Sequence, residues 1–444
     1  MSLATALSLV NTSRVLNDLT VLRSFGATGG GIHGRGVSRP ALSPEDVLSR
    51  RWLVAQFEEA GLVTHIDGMG TVHGYGGSES APAMLMGSHT DTQPEGGFLD
   101  GALGVIYALE AARVLRDMDA PGAWHVASFI DEEGRFSTLT GSKAFAGGRV
   151  PWEREGRGTG GITLAQAAAA ANLSGVPVVT WKDRPAGYLG YLEAHIEQGP
   201  MLERLNASLG VVSSIVGQAQ LRITCDGEQN HAGTTRMRDR KDAALKAMQL
   251  GVAIDAEFST MCREEEGDDC SSVWTLSGLT GFVSDSTVPG SANLTLQMRS
   301  PSQEYLDRML KLAEARTAAT IADHVSCRAE IARPPSKAVP MDEELQRCVL
   351  AASNAAVGAE ADAGAGAKVL TMHSGALHDA APIATVMPAA MLFVPSIKGI
   401  SHSFDEHTHD ADLALGAKAF VGAAASALMR QCGGAAGTEP KAEL

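Results

Sequence analysis

The sequence predicts an α/β protein: a larger domain on a mainly parallel sheet, interrupted by an inserted ferredoxin-like α+β domain. Three observations lead there. Helical and apolar strand patterns alternate through residue 212, which is the signature of a parallel sheet with crossover helices. From about residue 213 the order becomes β-α-β-β-α-β, the ferredoxin-like arrangement. After residue 331 the alternating pattern resumes, so 1–212 and 332–444 are predicted to form one domain around an insertion at 213–331.

Taken in order, the N-terminal MSLATALSLVNTSRVLNDL lacks a basic start and reads as an amphipathic helix rather than a signal peptide. Residues 44–62 (PEDVLSRRWLVAQFEEAGL) follow Ser43, a fitting N-cap, and close on a Gly, with apolar residues at helical spacing. THIDGMGTVHGYG is strand-like, PAMLMGSH is a buried strand, GALGVIYALEAARVLRDM is a helix and WHVASFID a further strand. In open α/β sheets, ligand sites lie beyond the carboxyl ends of the strands. His89 and the run Asp131, Glu132, Glu133 both stand there.

In the insertion, QAQLRITCDG is a strand, 242–258 a helix, SSVWTLSGL and ANLTLQMRS strands, 304–322 a helix and SCRAEIARP the last strand. Beyond it, the Ala-rich tract 351–367 is expected to be a helix followed by a loose Gly/Ala loop. No fixed-period repeat is visible.

Composition narrows the class. The 444 residues are 44% hydrophobic and 20% charged, ordinary values for a soluble globular enzyme with a substantial core. A formal charge of −15 argues against nucleic acid or anionic membranes as partners, so an anionic substrate needs local positive charge. The six cysteines form no CxxC pair; their wide spacing suggests reduced thiols in a cytoplasmic protein. The apolar run 419–429 is far short of the roughly 20 residues that span a bilayer.

Imidazoles and carboxylates gather in short Gly- or Ser-punctuated segments: GSHTDT (87–92), FLDGALG (98–104), FIDEEGRF (129–136), LEAHIEQGP (192–200) and GISHSFDEH (399–407). Scattered along the chain, they can meet only if a sheet collects its strand ends at one edge. Two divalent metals need several N and O ligands with one shared carboxylate, and this set can supply them. The chain therefore reads as a dinuclear metallohydrolase. Each residue also has a plainer reading. His89 alone resembles a core or loop histidine, and Asp100 before a helix resembles an N-cap. The acids at 131–133 could be a solvated turn, but like charges ending an apolar strand repel unless cations compensate. Which of the three would be ligand or base is open at this level. Glu193, His195 and Glu197 alternate, so one strand face would carry an imidazole between two supporting carboxylates. His407 and His409 read as surface or supporting groups. Arg299 alone reads as a surface ion pair.

LEAHIEQGP, NHAGTTRM and GISHSFDE together resemble the hydantoinase/carbamoylase family of amidohydrolases, a branch of the dinuclear zinc exopeptidases. The resemblance runs from about Ser38 to Asp412, and His195, where related aminoacylases carry an acid, selects this branch. It implies His89, Asp100, Glu133, His195 and His402 as metal ligands, with Asp100 bridging two ions. Zinc suits the set, and manganese, cobalt or nickel fit the same ligands. It implies Glu132 as general base, His231 as oxyanion donor and Arg299 as carboxylate clamp. Gln198, His378 and Ser286 fall at substrate-contacting positions. Ser286 stands where the family usually has Asn and Arg236 where Pro is common, and the loop after Glu133 is about two residues short. The implied activity is hydrolysis of a linear C–N bond in an N-carbamoyl amino acid or related ureido acid. The alternatives are an N-acyl amino acid hydrolase on the same scaffold and a catalytically silent small-acid-binding paralogue. The insertion is implied to act as a lid and to make a homodimer.

Overall fold

The computed structural model describes residues 2–265, 270–281, 284–322, 325–359 and 368–430. The described residues divide into two compact units: 2–213, Pro340–Met372 and 376–430 fall in the first, and Ser214–Val339 with His373–Gly375 in the second. The protein is a mixed α/β fold.

In the first unit, the sheet runs β1 (Val63–Ile66), β2 (Val72–Gly77), β4 (Ala123–Phe129), β3 (Ala83–His89), β5 (Tyr188–Ile196), the strand Ala389–Val394 and β6 (Leu209–Ile215). β4, β3, β5 and Ala389–Val394 are mutually parallel, whereas β1, β2 and β6 join antiparallel. Every residue of β3 and β4 is buried, as expected for interior strands covered on both faces. His89 ends β3, and His195 is the penultimate residue of β5, so the parallel strands deliver both imidazoles to one edge.

Local chemistry sets the element ends. The stretch 63–77 is a hairpin rather than one strand, because Asp67 Oδ1 accepts the N–H groups of Met69, Gly70 and Thr71, each at 3.0 Å, and closes the turn. The expected N-terminal helix is two, α1 (Leu3–Leu9) and α2 (Thr12–Ser24): Asn11 caps the second by accepting from Arg14 N at 3.0 Å. In α3 (Pro44–Glu59), Ser43 caps and Pro44 occupies the first turn, where its missing N–H costs nothing. α4 (Ala102–Asp117) is buried from Ala102 to Leu115 and packs on β3. Its N-cap is Gly101 with no side-chain cap bond, so Asp100 is not occupied in capping.

The apolar run 419–429 belongs to a longer helix, Asp410–Leu428. At 19 residues it is long and apolar enough to cross a membrane by composition, yet 72% of its apolar window is buried inside the protein. It is a core helix packed on α4 and on Glu343–Ala359. The Gly/Ala loop expected after that helix falls at 360–367, outside the described residues.

In the second unit, a five-stranded antiparallel sheet carries β7 (Gly217–Asp226) between Val325–Ser336 and Ser291–Ser300, with Val273–Thr280 beyond the latter. The helices Ala243–Glu265 and Gln303–Ala319 pack on this sheet, giving the βαββαβ order and its interleaved strand arrangement. Leu221, Ile223, Leu294, Leu296, Phe258 and Met309 form its core. Here the thiol expectation fails. Cys225 and Cys327, 102 residues apart, are register partners on adjacent strands and are joined as a disulfide; Cys262 and Cys270 form another. For Cys225 and Cys327, spacing alone could not show this, because the pairing depends on strand register.

Candidate active site

Five residues from two strands and three loops meet in the first unit. Asp100 lies at their centre, and its oxygens face different partners. Oδ1 is 3.1 Å from His195 Nε2 and 3.6 Å from His89 Nε2. Oδ2 is 3.3 Å from His402 Nε2, which is itself 3.5 Å from Glu133 Oε2. Two groups with donor atoms close enough to hold an ion result, His89–Asp100–His195 and Asp100–Glu133–His402, with Asp100 in both. The first is buried; His402 leaves the second partly open.

The histidine tautomers suit metal binding. His89 Nδ1 lies 3.0 Å from Asp91 O and His195 Nδ1 2.9 Å from Ile196 O. A carbonyl only accepts, so each Nδ1 carries the proton and in the neutral ring each Nε2 is the acceptor; that of His89 faces the centre, while that of His195 also accepts from Gly101 N at 3.2 Å. This revises the expected support for His195: neither flanking carboxylate holds it. Glu193 accepts instead from Ser88 Oγ at 2.7 Å and Ala380 N at 2.8 Å. Glu197 accepts from Met201 N and Leu202 N at 2.7 and 2.8 Å.

The acidic run separates into three roles in the geometry. Asp131, at φ 58°, turns back and accepts from Ser137 N at 2.9 Å and Thr140 Oγ1 at 2.7 Å, closing the loop. Glu132 sets Oε2 3.7 Å from His89 Nε2. Glu133 receives Gln93, whose N and Nε2 donate to its two oxygens at 3.2 and 2.7 Å. The N–H groups of Glu132 and Glu133 both point at Asp91, at 3.4 and 3.3 Å.

The electrostatics call for cations. Burial lifts the carboxyls of Asp131, Glu133 and Glu406 to about 7, with Asp91 adding to the first and Asp100 to the other two. Burial pushes Glu132 well above the carboxylate range, and Glu133 adds to it against the opposing pull of His89. His402 is raised to about 9, chiefly by its hydrogen bond to Asp100. So many acids out of water are tolerated when positive charge sits among them. The donor set, imidazole nitrogen and carboxylate oxygen, fits divalent ions of the zinc or manganese kind.

Two further expected residues lie close by. Gln198, at φ 58°, donates from Nε2 to Asp100 Oδ2 at 2.9 Å and to Ser401 Oγ at 3.0 Å. His378 is buried with its ring 4.5 Å from that of His195, and burial pushes its pKa well down. Sequence reasoning passed over Glu406 and Ser401, although both lie in the quoted segment 399–407. A cavity of about 680 Å³ bordered by Tyr75, Arg184 and Tyr188 contains none of the candidate residues.

His231, Ser286 and Arg299 belong to the second unit. His231 is exposed, and its Nδ1 accepts from Gly233 N at 3.0 Å and Thr234 N at 3.2 Å, so Nε2 carries the proton and is free to donate. Ala232 N donates to Ser286 O at 2.8 Å, which sets the two segments side by side. The cation that organises the loop is Arg240, which donates to the carbonyls of Ala232 and Thr235, rather than Arg236. Arg299 donates from Nη1 to Gly375 O at 2.8 Å and from Nε to Gln297 Oε1 at 3.3 Å. Among the described residues it forms no ion pair, contrary to the plainer reading of an arginine there.

Comparison with known proteins agrees with this geometry. Residues 85–426 match the model of Peptidase family M20/M25/M40. The N-carbamoyl-L-amino-acid amidohydrolase of Paenarthrobacter aurescens is 32% identical, over 91% of this chain and 95% of its own length. The allantoate deiminase of Arabidopsis thaliana is 33% identical, over 85% of this chain and 76% of its own. The crystal structure of an amidase of the hydantoinase/carbamoylase family from Burkholderia phymatum superposes with a TM-score of 0.84 at 38% identity, covering 95% of this chain and 98% of that one. The chain belongs to Peptidase family M20/M25/M40, and within it to the hydantoinase/carbamoylase amidases.

Proposed function

We propose that this protein is a metal-dependent amidohydrolase that cleaves the linear C–N bond of an N-carbamoyl amino acid or related ureido acid. The observation that carries this reading is the split allegiance of Asp100, one oxygen toward His89 and His195 and the other toward His402 beside Glu133. In this reading those five residues hold two divalent ions, zinc first, with manganese, cobalt or nickel able to use the same donors. Ions so placed would bring the pKa of a water toward roughly 7 and polarise the substrate carbonyl.

The chain's own groups do the rest. Glu132 takes the proton of the attacking water and passes it to the leaving nitrogen, a duty suited to a carboxylate whose surroundings raise its proton affinity. His231 donates Nε2–H to the oxyanion, a contact worth roughly 10²–10³ in rate. Arg299, without an acidic partner among the described residues, clamps the substrate carboxylate with its planar fork. Gln198, Ser286 and His378 line the substrate; Ser286 offers one hydroxyl where an amide would reach two ways, which shifts substrate choice. We also assign the second unit to lid motion and homodimer contact, supported by Leu245, Met248 and Val252, exposed by 42%, 42% and 69% along one helix face.

The relatives named above act, by their names, on N-carbamoyl-L-amino acids and on allantoate, both ureido compounds with a carboxylate. The test is ammonia release from N-carbamoyl-α-amino acids, β-ureidopropionate, allantoate and ureidoglycolate with zinc or manganese. Release of a carboxylic acid from N-acyl amino acids alone would transfer the reading to the acyl hydrolase, and no turnover of any of them would overturn it.

A further inference from the structure

Glu406 is buried, 1% exposed, and belongs to none of the groups placed above as ligand or base. Its Oε1 accepts the backbone N–H groups of Leu99 at 3.0 Å and Asp100 at 3.1 Å. Its Oε2 accepts from Ser401 Oγ at 3.0 Å. One carboxylate thus ties the segment bearing Asp100 to the segment bearing His402. The fit is close: a Cβ at Gly97 would lie 2.1 Å from Glu406 Oε1.

Ser401 has a choice of acceptors. Its hydroxyl has one proton, and besides Glu406 Oε2 it can reach Asp100 Oδ2, at 3.2 Å. Asp100 Oδ2 is the oxygen that faces His402, and it already accepts from Gln198 Nε2 at 2.9 Å, so a further donated proton from Ser401 would occupy its second lone pair. We infer that Glu406 is a positioning residue for the second metal position: by drawing the Ser401 proton to itself it leaves Asp100 Oδ2 able to bind an ion beside Glu133 and His402. This rests on the two-ion reading of the site. Asp100 Oδ1, which serves the buried position with His89 and His195, has no contact with Ser401 and is insensitive to the exchange.

Glu406→Gln isolates the effect. The amide oxygen still accepts from Leu99 and Asp100, but the amide NH2 cannot accept from Ser401, whose proton then goes to Asp100 Oδ2. Zinc titration of metal-free protein by calorimetry, with elemental analysis after dialysis, reads each position without reference to activity. The wild type is expected to bind two ions. Glu406→Gln should weaken only the second, by roughly 10–100-fold, the range typical of groups that support a ligand. Adding Ser401→Ala removes the misdirected proton and should restore most of that affinity, a rescue that a merely structural carboxylate does not predict. Gly97→Ala, which displaces Glu406 without removing it, should show the same selective loss. A second-position affinity unchanged from the wild type in either Glu406→Gln or Gly97→Ala, or no rescue by Ser401→Ala, overturns the inference while the two-ion site stands. Fewer than two ions in the wild type overturns both.

Discussion

Gly101 leaves the space that the His89 imidazole fills. A Cβ on Gly101 would lie 2.3 Å from the His89 ring, and the residue holds φ at +65°, where side chains are disfavoured. Gly101→Ala is therefore expected to displace a ligand rather than merely strain a turn. The expected result is a loss of roughly 10–100-fold in affinity at the position shared by His89 and His195. Metal titration checks this; an unchanged affinity would remove His89 from the ligand set.

Glu132→Gln preserves shape and removes the proton acceptor. Turnover should fall by at least roughly 10²-fold, the lower end of general-base contributions, with both metals retained. Loss of an ion in this variant, measured by elemental analysis, would make Glu132 a ligand instead.

Arg299→Ala should raise KM for carboxylate-bearing substrates by at least roughly tenfold, the scale of a charge-assisted hydrogen bond of about 1.5–3 kcal/mol, with a smaller change in kcat. An unchanged KM would reassign Arg299 to its contact with Gly375 O alone.

The metal-free protein should lose stability as pH rises from 6.5 to 9. His402 is raised to about 9, and His89 and His195 are raised too, so the folded chain holds protons that the unfolded chain has released above pH 6.5. Glu133 and Glu406, lifted to about 7, contribute in the same direction and finish near pH 7. The imidazole contribution is therefore present below pH 6.5 and lost on the way to 9, while that of the two carboxyls is already declining from pH 4.5 upward. Bound divalent ions take the place of those protons, so Tm of the loaded protein should vary less over this range. Thermal melts at several pH values, with and without zinc, decide it; a Tm that rises with pH in the metal-free protein contradicts the assignment.

Val252→Glu places a charge on the exposed face of Ala243–Glu265, 69% exposed at that residue. If that face makes the homodimer, light scattering should report a monomer with secondary structure unchanged. A retained dimer would move the interface elsewhere.

Much of the site was legible because parallel strands deposit their C-terminal residues along one edge. His89 follows from an apolar run ending in a histidine and His195 from the alternation of Glu193, His195 and Glu197 along a strand, and both rules need only sequence. The different surroundings of the Asp131, Glu132 and Glu133 side chains were not legible from composition, since they depend on which way each backbone step turns; the positive φ of Asp131 sends its side chain back into the loop. Glu406 was missed for a related reason. Its partners, the N–H groups of Leu99 and Asp100, lie more than three hundred positions away, and nothing in HSFDEH distinguishes that acid from Asp405. The support expected for His195 from Glu193 and Glu197 was reasoned from strand alternation alone. Backbone carbonyls took that role, and carbonyls leave no mark in a sequence.

Glu132 and Glu133 are consecutive, and both hang from one turn whose N–H groups aim at Asp91. The group assigned to move the proton and the group assigned to hold an ion therefore share a single mounting. Any drift of that turn detunes both functions together, so the two are expected to vary as one quantity across variants of the loop. Refining acidity independently of ion affinity would require changing what surrounds the turn, not the turn itself.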